Sequence, residues 1–286
     1  MNNIFNIRRF GLVFRKDFLE NWKRYTLLFL TMLGVITIIN TANSLSYYYD
    51  VHNMPEIEHY NYLNKRLLIY SSLMFGMFGL LFASIFMSPM NSKTKRISYL
   101  VNPASNFEKY FSRWVIITIG YIISFIAAFW IADILRVGIC SARFPELEIT
   151  FLDLTKLISS NDEGHSEYAF YRPVFIISTS MYLLLQSLFI LGSSFWEKAT
   201  FIKTFTTVVL IILSFVLICR WTILLFYGDI DSFGNVLESF TYTFDKRDIN
   251  EEHAIVFVSC VISFFTISNW TLTFFRFRES EITKHL

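Results

Sequence analysis

The run WVIITIGYIISFIAAFWIADIL, residues 114–135, decides the fold of this chain. Asp133 is its one charged residue, and at about 1.5 Å per residue a helix of this length crosses the roughly 30 Å hydrocarbon core of a bilayer. Such a long uncharged stretch is typical of a helix in lipid. We therefore predict a transmembrane helix over these residues.

Five more apolar runs of similar length predict five more transmembrane helices. The six spans lie at about 25–44, 67–88, 114–135, 174–192, 204–225 and 254–275. The composition agrees, because 54% of the residues are hydrophobic and only 17% are charged, against about 25% in soluble domains. Gly76 and Gly79 in the second span would let a neighbouring helix approach closely. The predicted fold class is all-α, a polytopic membrane protein with a single transmembrane domain over residues 1–286.

The distribution of charge predicts the orientation of these helices. Most of the 25 Lys and Arg residues lie in the amino-terminal arm, in the loop 90–113, after the fourth span and in the tail, whereas the loops 136–173 and 226–253 are acidic. The positive-inside rule then places both termini in the cytoplasm and the two acidic loops outside. The net charge of +2 is too small to predict nucleic-acid binding.

An amphipathic helix is predicted over residues 4–24, before the first span. Apolar groups recur every three or four residues, as at Ile7, Phe14, Phe18 and Trp22, and basic residues lie between them. This pattern is typical of a helix that lies in the membrane surface and contacts lipid headgroups. Two interpretations fit, a lipid anchor alone or an anchor that also contacts a partner protein.

The loop 90–113 contains the most structured signal outside the spans. Pro103 would end one helix, and the capping box from Ser105 to Glu108 would begin another that runs into the third span. The resulting helix–turn–helix presents aromatic and apolar groups amid basic ones, a mixture that suits docking to a protein. A cationic loop that only fixes the topology fits the same pattern. The candidate docking residues are Arg96, Tyr99, Leu100, Pro103, Ser105, Phe107, Glu108 and Lys109.

Four segments together resemble the short bacterial permeases of the ABC-2 type. They are FRKDFLENWKR (14–24), RISYLVNPASNFEK (96–109), FWEKATFIKT (195–204) and FRFRESEI (275–282). The resemblance implies an interfacial elbow helix and a coupling helix at about 92–110 that docks on a separately encoded ABC ATPase. It also implies a homodimer or heterodimer of permease subunits in the bacterial cytoplasmic membrane, which moves lipids, glycans, drugs or peptides.

Four of the polar residues within the predicted spans are candidates for a functional role, and the ionisable ones among them are costly there. Asp133 and Arg220 lie at similar depth, so they either form an ion pair between two helices or reach separately to the outer surface. Gln186 and Asn269 are uncharged, and we expect hydrogen bonds between helices in preference to a substrate path.

The sequence predicts neither enzymatic activity nor a cofactor. The phosphate-binding motif GxxxxGK[ST] and the motifs HExxH and GxSxG do not occur, so ATP would be hydrolysed by a partner. His52, Glu56, Glu58 and His59 cluster in the first outer loop, but polar loop residues are usually hydrated, and we expect no metal. A second hypothesis is a non-transporting membrane scaffold, or a sensory or immunity component, whose external loops bind a ligand. A neighbouring ATPase gene would favour transport.

Overall fold

The fold is helical throughout the part of the chain that the structure, a computed structural model, describes. That part comprises residues 5–53, 60–90, 97, 99, 101, 103–147, 149–152, 172–196, 198–227 and 251–282. Its α-helices are α1 (Ile7–Asn53), α2 (Tyr60–Ser84), α3 (Asn106–Val115), α4 (Tyr121–Arg143), α5 (Arg172–Phe195), α6 (Thr200–Tyr227) and α7 (Glu251–Ile282). The π-helical turn Ile116–Gly120 joins α3 to α4, and a 3₁₀ turn, Ser88–Met90, follows α2.

Six helical stretches are long and apolar enough to cross a membrane. They are Ile7–Asp50, Arg66–Met90, Asn106–Arg143, Phe175–Phe195, Thr200–Thr222 and Ile255–Glu279. Each contains or overlaps one of the runs predicted from the sequence, because an unbroken apolar run of this length forms a helix when lipid replaces water around it. Within the described residues, the all-α class is therefore confirmed, as is the presence of six helices long and apolar enough to span a membrane. The orientation in the membrane stays a prediction.

The structure corrects the predicted amino-terminal elbow. The helix α1 has 47 residues, a length of about 70 Å, and joins most of the predicted elbow 4–24 to the predicted span 25–44 without a break. The physical reason lies in the sequence, since α1 contains no proline, and its two glycines, Gly11 and Gly34, are isolated. Nothing in the sequence turns the helix where the apolar span begins.

Two long helix pairs form the body of the molecule. The helix α1 packs along α4, and α5 packs along α7, while α2 lies against both α1 and α5. Small residues such as Ala128 and Ala132 are fully buried on α4 and share a core cluster with Met32 and Ile36 of α1. A second core cluster fills the predicted cytoplasmic end, around Phe86, Tyr99 and Phe277. The helix α6 is largely exposed along its length, as a helix that faces lipid is.

One of the two predicted glycine contacts is present. A Cβ atom built on Gly79 would lie 2.8 Å from Cε2 of Tyr182 on α5, so the absence of a side chain lets this ring cross α2. A Cβ atom built on Gly76 would meet nothing within 4 Å. The prediction of a close helix approach is therefore confirmed at Gly79 and wrong at Gly76, because only Gly79 faces α5.

Candidate functional site

The predicted capping box begins α3 and is confirmed. Ser105 has an extended backbone, and its hydroxyl oxygen accepts a hydrogen bond from the backbone N–H of Glu108 at 3.1 Å. In return, Oε2 of Glu108 accepts from the backbone N–H of Ser105 at 3.0 Å. Pro103 lies just upstream and is exposed. The sequence was sufficient to predict the capping box, because the motif depends only on residues 105–108.

Glu108 also binds the start of α1, which the sequence did not reveal. Its Oε1 atom accepts from the backbone N–H of Asn6 at 2.7 Å and from Nη2 of Arg9 at 3.1 Å. Asn6 caps α1, because its own side-chain oxygen accepts from the backbone N–H of Arg8. The fully buried carboxylate therefore joins the first turns of two helices about a hundred residues apart in sequence. We call this arrangement of Glu108, Asn6, Arg9 and Ser105 the latch.

The surroundings of Glu108 favour its charged form. Burial alone would raise the pKa of the carboxyl group. The backbone N–H groups of Ser105 and Asn6 and the guanidinium group of Arg9 outweigh that effect and hold the pKa of Glu108 below its usual value. The latch is therefore a charge-assisted contact at neutral pH.

Tyr99 is internal, contrary to its predicted place on a docking surface. Its hydroxyl group donates to the backbone carbonyl of Lys109 at 3.0 Å, and its ring meets the edge of Phe277 on α7. Lys109 is buried as well. A tyrosine that finds a backbone acceptor can bury its whole side chain, which explains the difference. Tyr99 therefore positions the turn to which Ile97, Tyr99 and Val101 belong against α3 and α7. Arg96 and Leu100 lie outside the described residues.

An apolar surface remains exposed on this turn and on the start of α3. Ile97 and Val101 are one helical turn apart and are 58% and 75% exposed, and Phe107 is 40% exposed. Phe5, ahead of α1, contacts the Phe107 ring edge-on. We call Ile97, Val101 and Phe107 the apolar face. It lies outside the spans predicted from the sequence, at the predicted cytoplasmic end.

Aromatic rings connect the apolar face to α7. Phe107 meets Phe274 edge-on at 6.2 Å between ring centres and stacks on Phe111 at 5.7 Å. The Tyr110 hydroxyl donates to the backbone carbonyl of Trp270 at 2.9 Å. Together with the latch, these contacts tie the turn and α3 to both α1 and α7.

A buried acidic group forms a second contact between α1 and α3. Ser112 donates a long hydrogen bond to Oδ2 of Asp17 at 3.4 Å, and Arg113 donates to the Ser88 hydroxyl at 3.5 Å. Burial raises the pKa of Asp17 to about 6, although the positive charge of Arg113 opposes the shift. The sequence predicted neither of these two contacts. The four-residue spacing from buried Val13 to Asp17 was the available signal that both face the interior.

Asp133 forms an ion pair, but with Arg136 and not with Arg220. Nε of Arg136 lies 2.6 Å from Oδ1 of Asp133, and both side chains are buried. Arg220 is exposed on α6, so the predicted pair between helices is wrong. The physical reason is proximity, because residues three apart on one helix are already neighbours. The pair also holds residues 150 and 152 of the following loop.

The two uncharged polar residues differ in their contacts. Nδ2 of Asn269 donates to the Ser187 hydroxyl at 3.0 Å and so joins α7 to α5, which confirms a hydrogen bond between helices. Gln186 is fully buried on α5, and its amide atoms have no hydrogen-bond partner among the described residues. Gln186 therefore lies inside the helix bundle and does not form the predicted hydrogen bond between helices among the described residues.

The suggested metal cluster lies largely outside the described residues, since Glu56, Glu58 and His59 are not among them. Within the described ranges, no group of three His, Cys, Asp or Glu side chains could hold a metal ion.

Comparison of the chain with models of protein families, with curated proteins and with solved structures finds no match.

Proposed function

We propose that this chain is the permease subunit of an ABC-2-type transporter, which works as a dimer in the bacterial cytoplasmic membrane with a separately encoded ATPase. The observation that carries the proposal is the apolar face, which is exposed while the residues beside it are fixed to α1 and α7. Exposed apolar groups outside the membrane favour a protein partner, because water solvates them poorly. The resemblance of residues 96–109 to a coupling helix supports the same assignment.

In the proposed mechanism, the contacts of α3 with α1 and α7 transmit the movement of the ATPase to the transmembrane helices. Closure of the ATPase on nucleotide pushes the apolar face, and the latch carries that displacement to α1. The rings around Phe274 carry it to α7. Rigid contacts of this kind transmit a displacement because packed interfaces shift between discrete arrangements. The helices then tilt, and a path between the two permease subunits opens outward.

Co-purification tests the proposal. The chain is expressed with an ABC ATPase encoded beside its gene, and the complex is isolated through a tag on the chain. We expect Phe107→Asp to abolish recovery of the ATPase, since a charge is unfavourable in an apolar contact, and Phe107→Leu to retain it. Both variants must give the wild-type yield in the membrane. Failure of the wild type to retain the ATPase, or equal recovery with both variants, would contradict the proposal.

The orientation is tested separately by labelling. Val101→Cys is introduced after replacement of the three native cysteines, Cys140, Cys219 and Cys260, by serine or alanine. We expect a membrane-impermeant maleimide to label the new cysteine only in inverted vesicles, because Val101 is 75% exposed on the predicted cytoplasmic side. Labelling of intact cells would contradict the orientation and with it the docking of a cytoplasmic ATPase.

A further inference from the structure

At the predicted outer end, two buried charged side chains hold a short piece of chain by its backbone. Nη2 of Arg136 donates to the carbonyl oxygen of Thr150 at 2.8 Å, and the backbone N–H of Leu152 donates to Oδ2 of Asp133 at 2.9 Å. We call Asp133 and Arg136 the clasp and residues 149–152, which have no helical structure, the strap.

The clasp presents the hydrogen-bond pattern of a neighbouring β-strand. In an extended chain, the C=O of one residue and the N–H of the residue two positions later point to the same side. The clasp offers one donor and one acceptor at this spacing, and both bond to backbone atoms of the strap. These two hydrogen bonds are therefore independent of the side chains at positions 150 and 152.

Two side chains of the strap supply the remaining specificity. Leu152 is buried in the core cluster that includes α1, α2 and α4, and Ile149 packs against that cluster, whereas Thr150 and Phe151 are exposed. The site thus accepts an extended backbone with aliphatic residues at two positions. Just upstream of the strap, an open cleft of about 260 Å³ is lined by Tyr49 and by residues of the segment 143–147.

We propose that the clasp is a docking site for an extended peptide at the outer face, and that the strap is its built-in occupant, which such a peptide displaces. A buried ion pair is costly unless further hydrogen bonds complete it, and an extended backbone from either source completes this one. Ionisable groups within transmembrane helices usually mark functional sites. The proposal goes beyond transport and does not require an ATPase.

Binding of a synthetic peptide tests the proposal. The probe is a fluorescein-labelled peptide Ile-Thr-Phe-Leu with a carboxy-terminal amide, and the protein is the purified full chain in detergent. Two variants loosen the strap, Leu152→Ala by removing its anchor and Thr150→Gly by making the backbone more flexible. We expect saturable binding that is about tenfold tighter to either variant than to the wild type. Absence of saturable binding to both monodisperse variants would overturn the proposal.

A pair of methylated peptides identifies the contact without altering the protein. Methylation of the leucine nitrogen removes the donor that bonds to Asp133, and we expect it to weaken binding by about tenfold or more. Methylation of the phenylalanine nitrogen changes a group that points away from the clasp in an extended chain, so this matched control should bind like the parent peptide. Equal affinities of the two methylated peptides would overturn the assignment of the clasp.

Discussion

Replacing Glu108 by glutamine probes the latch with little change in shape. The carboxylate accepts hydrogen bonds on both oxygens, from Asn6 and Arg9 on one and from Ser105 on the other. Glutamine has one acceptor oxygen, and its NH₂ group must then face a donor. Glu108→Gln therefore loses at least one backbone contact, either to α1 or to the first turn of α3.

The magnitude follows from the kinds of bonds that are lost. A hydrogen bond to a charged group contributes about 1.5–3 kcal/mol, and a buried donor left without a partner costs a similar amount. The contribution of Arg9 is small, because its side chain is 42% exposed. We expect the start of α1 to separate from α3 more easily by about 2–3 kcal/mol, which is roughly a 30- to 150-fold change in the opening equilibrium.

Hydrogen exchange followed by mass spectrometry measures this opening directly. The amide of Phe10 is protected by the carbonyl of Asn6, so a peptide covering residues 5–14 reports on the first turn of α1. We expect exchange there, and in a peptide covering 105–112, to accelerate by the factor above in Glu108→Gln. Peptides from α5 should exchange at the wild-type rate, because the latch joins α1 to α3, whereas α5 packs on α2, α6 and α7.

A matched control separates the latch from a general effect of charge. Glu20→Gln removes the same charge from α1, but Glu20 is half exposed and pairs only with Lys16 at 3.7 Å, so little change is expected. Acid provides a second check. Since the pKa of Glu108 is held low, its stabilisation persists above the unfolded pKa of about 4.3 and is lost only as the pH falls through the folded value. Unchanged exchange of residues 5–14 in Glu108→Gln would refute the latch.

Three further outcomes are expected. Gly79→Ala should lower the melting temperature and the yield of monodisperse protein, because the new methyl group meets the Tyr182 ring. Gly76→Ala should lower neither, because the new methyl group meets no atom within 4 Å. Equal effects of the two substitutions would contradict the close approach of α5 at Gly79. Asp17→Asn should raise the melting temperature at pH 7.5 by an amount equivalent to about 3 kcal/mol, because a pKa raised to about 6 means that the charged form opposes folding above that pH. This gain should shrink at pH 5, where the wild-type carboxyl group is already protonated, and a gain that is the same at both pH values would refute it. Tyr99→Phe should cost about 1 kcal/mol in thermal denaturation, since it loses one hydrogen bond to a backbone carbonyl and keeps its ring contacts; a loss as large as that of Tyr99→Ala would contradict this.

The features that the sequence predicted correctly are those whose physics is local. An apolar run of sufficient length specifies a helix that can cross a membrane without reference to the rest of the chain, and all six runs lie in helices long and apolar enough to do so. The capping box at Ser105 and Glu108 needs only four residues to form. The prediction of a separate elbow helix was not met, because α1 continues into the first span without a break. The amphipathic pattern of residues 4–24 indicates which face of the helix is apolar and contains no information about where the helix bends.

The features that the sequence missed depend on contacts between distant segments. Tyr99 was expected on a surface, but its hydroxyl finds an acceptor on α3 and its ring packs on α7. One of the two interpretations paired Asp133 with Arg220 because of their similar depth and opposite charge, and it overlooked the arginine three residues away. Depth in the membrane restricts partners weakly, whereas the helical repeat restricts them strongly. The three-residue spacing of Asp133 and Arg136 in the sequence was therefore sufficient to predict their ion pair.

Glu108 and Asp133, at opposite ends of the molecule, solve the same physical problem in the same way. Each buried carboxylate accepts a hydrogen bond from the backbone N–H of a separate segment, and each has an arginine beside it. Where water is scarce, a segment that begins or ends without helical hydrogen bonds leaves backbone donors that need an acceptor, and a carboxylate is the strongest one available. The adjacent arginine offsets the charge. In so apolar a chain, the partner predicted first for a buried acidic residue should therefore be the unpaired backbone N–H of a neighbouring segment. A distant basic residue at equal depth is the weaker prediction.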